Sequence, residues 1–541
     1  MLQKRDARFV FLAGISFLIL ITGPYLWAYL TTGSDHFFGG FLFNPIDGNS
    51  YLAKMYQGWL GSWRFTLPYS PQSGEGTYLF LFYLALGHLS RVTGYSLHFV
   101  FHMMRLLGAL ILLIVLWNFY SQVSPTRIAA RMAFLFALFG SGLGWFVSFF
   151  GILSADLWVA EGFPFLSAYA NPHFPLGMSI LIWVLMPRRE SGQDRNSIFD
   201  KKFGVILVIM GLLLAILLPF GIVLAVVILA VMSIWESWER VNSKNKLPQD
   251  KQLGILQLIY STVNFRKLIL LSVGGIPVLL YQVWVTQSDP MLAIWSAQNL
   301  TISPPIWDLL ISFAPVLLFG IPGAWFVWRK GGYAQRILIV WITVGILLIY
   351  IPWGLQRRFL LGYMVPLAGL AGLGLDHLFS HQKRIKIAML SVVIMMALPT
   401  NLLILVGGIG AIQSHESMFY LSKDEKISLD WLESNSPDDA LVLASPQMGL
   451  FIPAYTGRRV LYGHPFETVN ADVMEAKVEH FFQGMIKDNE ISTLSDVDYL
   501  FYGPREREYG GHLLGAGMKV VFQFGNTEIY EIDGSYSNTV E

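Results

Sequence analysis

Cysteine is absent from all 541 residues, which excludes disulfides, thiolate metal sites and cysteine nucleophiles. Charge is scarce as well. Asp, Glu, Lys and Arg make up 13% of the chain, against roughly 25% in an ordinary soluble domain, so a soluble multidomain enzyme is excluded. There is no basic surplus: the formal net charge is +1, too little to neutralise a nucleic-acid backbone. Apolar residues take the space instead, at 54% of positions.

A helix rises about 1.5 Å per residue, so about 20 apolar residues cross a hydrocarbon core of ~30 Å. Runs of this kind fall at 9–30, 95–118, 131–153, 174–187, 203–218, 220–236, 268–287, 307–328, 337–353, 359–379 and 387–410. They predict an all-α polytopic membrane protein with about eleven spans. Lys4, Arg5 and Arg8 precede the first run, which is long enough to span and shows no small-residue cleavage site, so it reads as a span and not a leader. Pro219 and Gly221 divide 203–236 into two short spans, because proline removes a backbone donor and glycine permits a turn. The shorter run 78–92 carries His88 and Arg91 and reads as an interfacial helix.

The cations support this count. With the N-terminus inside, the inner loops hold Arg127 and Arg131; Arg188, Arg189, Arg195, Lys201 and Lys202; Arg240, Lys244, Lys246, Lys251, Arg266 and Lys267; Arg329, Lys330 and Arg336; and Lys383, Arg384 and Lys386. The outer loops 154–173 and 288–306 contain no Lys or Arg. This is the positive-inside bias repeated along the chain, and it puts the C-terminus outside.

The outer face carries the unusual polar residues. The first outer loop, 31–94, contains Asn44, Pro45, Ile46 and Asp47, followed by a helix expected from Tyr51 to about Trp63. Leu52, Met55, Tyr56, Trp59 and Leu60 form one apolar stripe, as in a helix lying on the membrane surface. Asp47 precedes it, where Asp47 or Ser50 would serve as a cap. The second outer loop holds Asp156 and Glu161, then Asn171, Pro172 and His173. Two carboxylates without a cation in their own loop need water, a partner or a ligand. Gln356, Arg357 and Arg358 stand at the outer end of the tenth span. They suit lipid-headgroup snorkelling or a bidentate phosphate clamp. Arg105, inside the second span, requires a partner.

Composition shifts at about 411. Ser422 and Glu425 have capping-box spacing, and short apolar runs at 440–444, 458–462, 498–502, 519–524 and 528–532 alternate with Gly, Pro and Asp. Residues 411–541 therefore read as a small extracytoplasmic α/β domain behind a membrane domain, 1–410. The glycine-rich stretches 369–374 and 515–517 lack the strand–turn–helix setting of a nucleotide loop.

In this order the features resemble the GT-C-fold, lipid-carrier-dependent glycosyltransferases: protein O-mannosyltransferases, aminoarabinose transferases and oligosaccharyltransferase catalytic subunits, and closest to them the bacterial family-39-like proteins. The resemblance rests on Asp47 ahead of an outer helix, Tyr78–Gly94 leading to Arg105, Asn171-Pro172-His173, the break at Leu218-Pro219-Phe220, Gln356-Arg357-Arg358-Phe359, and the outer tail. It implies a polyprenyl-phosphate-linked sugar donor, transfer on the outer face of the plasma membrane, and a glycan, lipid or protein acceptor. Asp47 would be the general base. Arg357 and Arg358, with Arg105 and His173, would bind the lipid phosphate. Asp156 and Glu161 would bind the acceptor or, with Asp47, a divalent cation (Mg2+ or Mn2+). One departure is that Asp47 is not followed by a second acidic residue as in protein O-mannosyltransferases, which counts against a protein-hydroxyl acceptor. Two alternatives stay open: a catalytically silent GT-C relative in glycan assembly, and a secondary transporter. A transporter needs midplane ionisable groups and a two-half repeat, whereas these carboxylates cluster on one face and no repeat is visible.

Overall fold

The computed structural model describes residues 4–187, 201–243, 262–485, 496–511 and 517–532. The inner-loop cations Arg188, Arg189, Arg195, Lys244, Lys246 and Lys251 lie outside the described residues. Eight of the described helices are long and apolar enough to cross a membrane: Arg5–Thr31, Leu97–Val123, Arg127–Phe150, Pro219–Glu239, Val263–Ser288, Ile306–Lys330, Gln356–Leu378 and Lys383–Ser414. Shorter helices at His173–Leu185, Lys201–Leu217 and Tyr333–Ile349 occupy the other expected positions. The chain is a multi-pass membrane protein. One helix ends at Leu217 and the next begins at Pro219, because the proline ring fits the first helical position and not the interior.

Contacts divide the chain into two compact units, Met1–Gly23, Met104–Tyr281 and Thr301–Gly407 in one, and Pro24–Met103, Gln282–Leu300 and Gly408–Glu541 in the other. This differs from a boundary at 410/411, since the first outer loop clusters with the tail. The reason is pairing and packing. β1 (His36–Phe38) pairs antiparallel with β2 (Tyr420–Ser422), and Ala53 and Tyr69 are buried within the tail's core.

In the first unit small residues let helices touch backbone to backbone, the usual source of contact where lipid removes the hydrophobic drive. A Cβ on Gly323 would lie 1.9 Å from the Leu370 carbonyl oxygen, and one on Gly374 would lie 2.1 Å from that of Phe319. The Ile306–Lys330 and Met364–Leu378 helices cross at these points. Asp6 is buried against Arg131 at 2.8 Å and Arg127 at 3.6 Å.

In the second unit a sheet runs in the order β4-β3-β5-β7-β6, with β3 Leu441–Leu443, β4 Arg459–Val460, β5 Tyr499–Tyr502, β6 Met518–Phe524 and β7 Thr527–Ile532. β3 is parallel to β4 and β5, and β7 is antiparallel to β5 and β6. Side chains alternate across a strand, so Val442 enters one core with Leu429, Leu432 and Phe451, while Leu441 and Leu443 enter another with Val478 and Phe482. Ser422 caps the Lys423–Asn435 helix by accepting from the Glu425 N–H, and the Glu425 carboxylate accepts from the Ser422 N–H at 2.8 Å. The five expected apolar runs all carry strands.

The outer helix spans Pro45–Leu60, not Tyr51 to Trp63. Asn44, at φ 48, is its cap and Pro45 its first residue. Much of it is packed within protein. Asn49, Ser50, Leu52, Ala53, Lys54, Met55, Tyr56 and Gly58 are buried, and Gly58 lets it lie against the Leu81–Thr93 helix, where a Cβ would sit 2.1 Å from the Leu84 carbonyl oxygen. At about 1.5 Å per residue the latter helix is too short to span.

Candidate functional site

In the membrane unit Glu161 and the two outer arginines come together. Glu161 sits in a 3₁₀ turn, Ala160–Gly162, and the arginines in another, Gln356–Leu360. The Gly362 N–H donates to the Glu161 carbonyl oxygen at 2.8 Å, and the Arg357 N–H to that of Thr301 at 3.0 Å. Gly362 takes φ 63, a left-handed turn that favours glycine. The buried Glu161 Oε1 lies 3.5 Å from Arg357 Nε and 3.6 Å from an Arg358 guanidinium nitrogen. The Arg357 guanidinium lies over the Trp158 ring, 4.6 Å from its centre. Two guanidiniums share one carboxylate, at distances longer than the ~2.8 Å of a direct charge-assisted hydrogen bond.

The other residues expected here have structural surroundings. Asp156 is fully buried. Its Oδ2 accepts from the N–H groups of Gly142 at 2.9 Å and Gly144 at 3.0 Å, and its Oδ1 accepts from Ser154 Oγ at 2.6 Å. Burial raises its pKa while those hydrogen bonds oppose the rise. Its lone pairs already bind the loop together, and a Cβ on Gly144 would lie 2.6 Å from Oδ1. Arg105 is 1% exposed and donates to the carbonyls of Ile21 and Ala168, each at 3.0 Å, and of Tyr169 at 3.4 Å. The last two belong to the final turn of the Pro164–Ala170 helix, where carbonyls lack helical partners and a cation is favoured. His173 is buried at the start of His173–Leu185, with its ring 4.1 Å from that of Phe174.

In the second unit Asp47 lies in the first turn of the Pro45–Leu60 helix. Its Oδ2 accepts from the Asn44 side-chain amide, and its side chain is 38% exposed. Sequence reading missed its neighbours. His464 Nε2 stands 3.8 Å from Asp47 Oδ1. The fully buried Lys54 donates to Glu467 Oε1 at 2.8 Å and to Ser50 Oγ. Asn299 Nδ2 donates to the Phe466 carbonyl oxygen at 2.8 Å, and Gln298 accepts from the Asn470 N–H at 3.1 Å, so the C-terminal end of the Pro290–Gln298 helix holds the 464–470 turn.

No protein-family model matches the chain, and no curated protein does. Among solved structures, the oligosaccharyltransferase AglB of Archaeoglobus fulgidus, in complex with an inhibitory peptide and a dolichol-phosphate, matches with TM-score 0.51 at 11% identity, covering 92% of this chain and 70% of that one. ArnT of Cupriavidus metallidurans bound to undecaprenyl phosphate matches with TM-score 0.52 at 11% identity, over 95% of this chain and 97% of that one. The chain has the GT-C fold. On this GT-C frame, no three His, Asp or Glu side chains among the described residues are grouped to hold a metal. Asp156 is enclosed by its own loop, and Glu161 is flanked by two guanidiniums.

Proposed function

We propose that this protein moves a sugar from a polyprenyl-phosphate-linked donor to an acceptor at the outer face of the membrane, with the N-terminus cytoplasmic and the tail outside. The observation that carries the reading is the pair of guanidiniums held side by side by Glu161 in a GT-C chain. A guanidinium offers planar paired donors to phosphate oxygens, and Glu161 lies within 3.6 Å of both. Arg357 and Arg358 hold the lipid phosphate and stabilise the charge it gains on leaving. Asp47 takes the proton of the acceptor group. The acceptor forms its bond to the anomeric carbon as the bond from that carbon to the phosphate oxygen breaks, and attack opposite the leaving group inverts the centre. The electron pair leaves on the phosphate.

The test uses the full chain in lipid nanodiscs with a polyprenyl-phosphate-linked sugar. Asp47→Asn keeps the shape of the side chain and removes its basicity. Turnover is expected to fall at least ~100-fold while donor binding persists. Arg357→Ala and Arg358→Ala are expected to weaken donor binding as well as transfer, because phosphate is present in both ground and transition states. Near wild-type transfer by folded Asp47→Asn protein would remove Asp47 as the base. Donor bound but never transferred by the wild type would favour the silent relative.

A further inference from the structure

Around Asp47 the second unit gathers polar groups that its packing does not require. Asp47, Ser50 and Lys54 fall at i, i+3 and i+7 of one helix, a single face. His464 and Glu467 come from one turn opposite. His464 is 1% exposed, and its Nδ1 accepts from the N–H groups of Phe466 and Glu467, both at 3.1 Å. A nitrogen that accepts two hydrogen bonds carries no proton, so the ring's proton is on Nε2. That buried Nε2 makes no hydrogen bond, and neither does Glu467 Oε2. A buried donor left unmatched costs about 1–3 kcal/mol, which calls for an explanation.

The separation of 3.8 Å between Nε2 and Asp47 Oδ1 is too long for a hydrogen bond, and a turn of the partly exposed Asp47 side chain, 38% accessible, opens the gap to one oxygen atom. A hydroxyl oxygen about 2.8 Å from each accepts the Nε2 proton and donates its own to Asp47. We propose that His464 and Asp47 hold between them the nucleophilic hydroxyl of an uncharged polyol acceptor, with His464 the positioning residue. The inference rests on the reading of Asp47 as the base. It narrows the acceptor by two arguments. An amide nitrogen has no lone pair to accept the Nε2 proton. A phosphate acceptor meets Asp47, Glu467 and Lys54, a net charge of −1 beside a neutral ring, and is repelled. Burial lowers the pKa of His464 and so keeps that ring neutral. In the transfer step the hydroxyl proton goes to Asp47, the oxygen bonds the anomeric carbon, and the carbon–phosphate-oxygen bond breaks with its electrons leaving on the lipid phosphate.

The experiment is saturation-transfer NMR on the full chain in nanodiscs, with methyl hexopyranosides and glycerol 1-phosphate as probes. His464→Asn retains an oxygen to accept the two turn N–H bonds and deletes the donor facing Asp47. His464→Gln supplies a donor at the Nε2 position. Saturation of the glycosides is expected in the wild type, about 5–10-fold weaker binding in His464→Asn, the worth of one hydrogen bond, and partial recovery in His464→Gln, with no binding of glycerol 1-phosphate. In transfer assays His464→Asn is expected to raise the acceptor KM and leave the donor KM unchanged. Equal glycoside binding by His464→Asn and wild type, no glycoside binding by the wild type, or preference for glycerol 1-phosphate each overturns the inference, and none of these touches donor binding at Arg357 and Arg358. Glycoside binding that depends on His464, alongside full transfer by Asp47→Asn, leaves the hydroxyl site standing and removes the base.

Discussion

Replacing Lys54 by Met tests the reasoning about the second unit at its most sensitive point. The ammonium is fully buried, lies 2.8 Å from Glu467 Oε1 and sits over the Phe80 ring at 4.3 Å. At an effective dielectric of ~20, charges 2.8 Å apart attract by about 6 kcal/mol. Part of that returns because the ammonium no longer has to be desolvated, so the net loss is about 3–5 kcal/mol, the usual cost of stranding one partner of a buried pair. Met fills the volume of the stem, which keeps the effect electrostatic. Hydrogen exchange over residues 45–60 and 464–470 of the full chain should then accelerate about 10²–10⁴-fold at neutral pH. Adding Glu467→Gln should restore most of the protection. The pH dependence should change sign. In the wild type, burial pushes the Glu467 carboxyl up, but Lys54, the His464 ring and the hydrogen bonds from Lys54 and Ser50 more than reverse this and leave it below 4.5. Its stabilising contribution is thus present above pH ~4.5 and lost as pH falls through the lower folded value. Without Lys54 burial dominates, the folded value rises, and protection relative to the intrinsic exchange rate at each pH should increase on acidification instead. Unchanged exchange in Lys54→Met, or no recovery on acidification, would refute the argument.

Asp156→Ala should destabilise the membrane unit by at least ~3 kcal/mol, because two backbone N–H groups and the Ser154 hydroxyl lose their acceptor. The thermal transition of the purified protein measures it, and a fully stable variant with altered acceptor affinity would return Asp156 to an acceptor role. Reporter fusions after Lys202, Arg336 and Lys386 should report the cytoplasm and one after Asn435 the outside. A cytoplasmic signal at 435 would refute the orientation read from the cations.

How much of this was legible in the sequence depends on how local the signal is. The helix break at Pro219, the capping box of Ser422 and Glu425, and the strand at 441–443 follow from backbone chemistry and side-chain periodicity within a few residues, and the structure has all three. The long apolar helices were legible because the bilayer leaves so few ways to satisfy a backbone. The outer helix was misread because its start depends on Asn44 adopting a left-handed cap before Pro45, and its burial depends on Gly58 meeting Leu84 and on residues of the tail closing over it. Glu161 reads as a lone acid in a loop without cations, and it becomes the counter-charge of Arg357 and Arg358 only through a contact across almost two hundred residues. His464 and Lys54 carried no signal of their own, since a histidine in a loop and a lysine on a helix are ordinary until the fold removes water from both. The sequence alone determined which segments form long apolar helices. Only the tertiary structure decided which charged groups lose their solvent and must take each other, or a ligand, as partners.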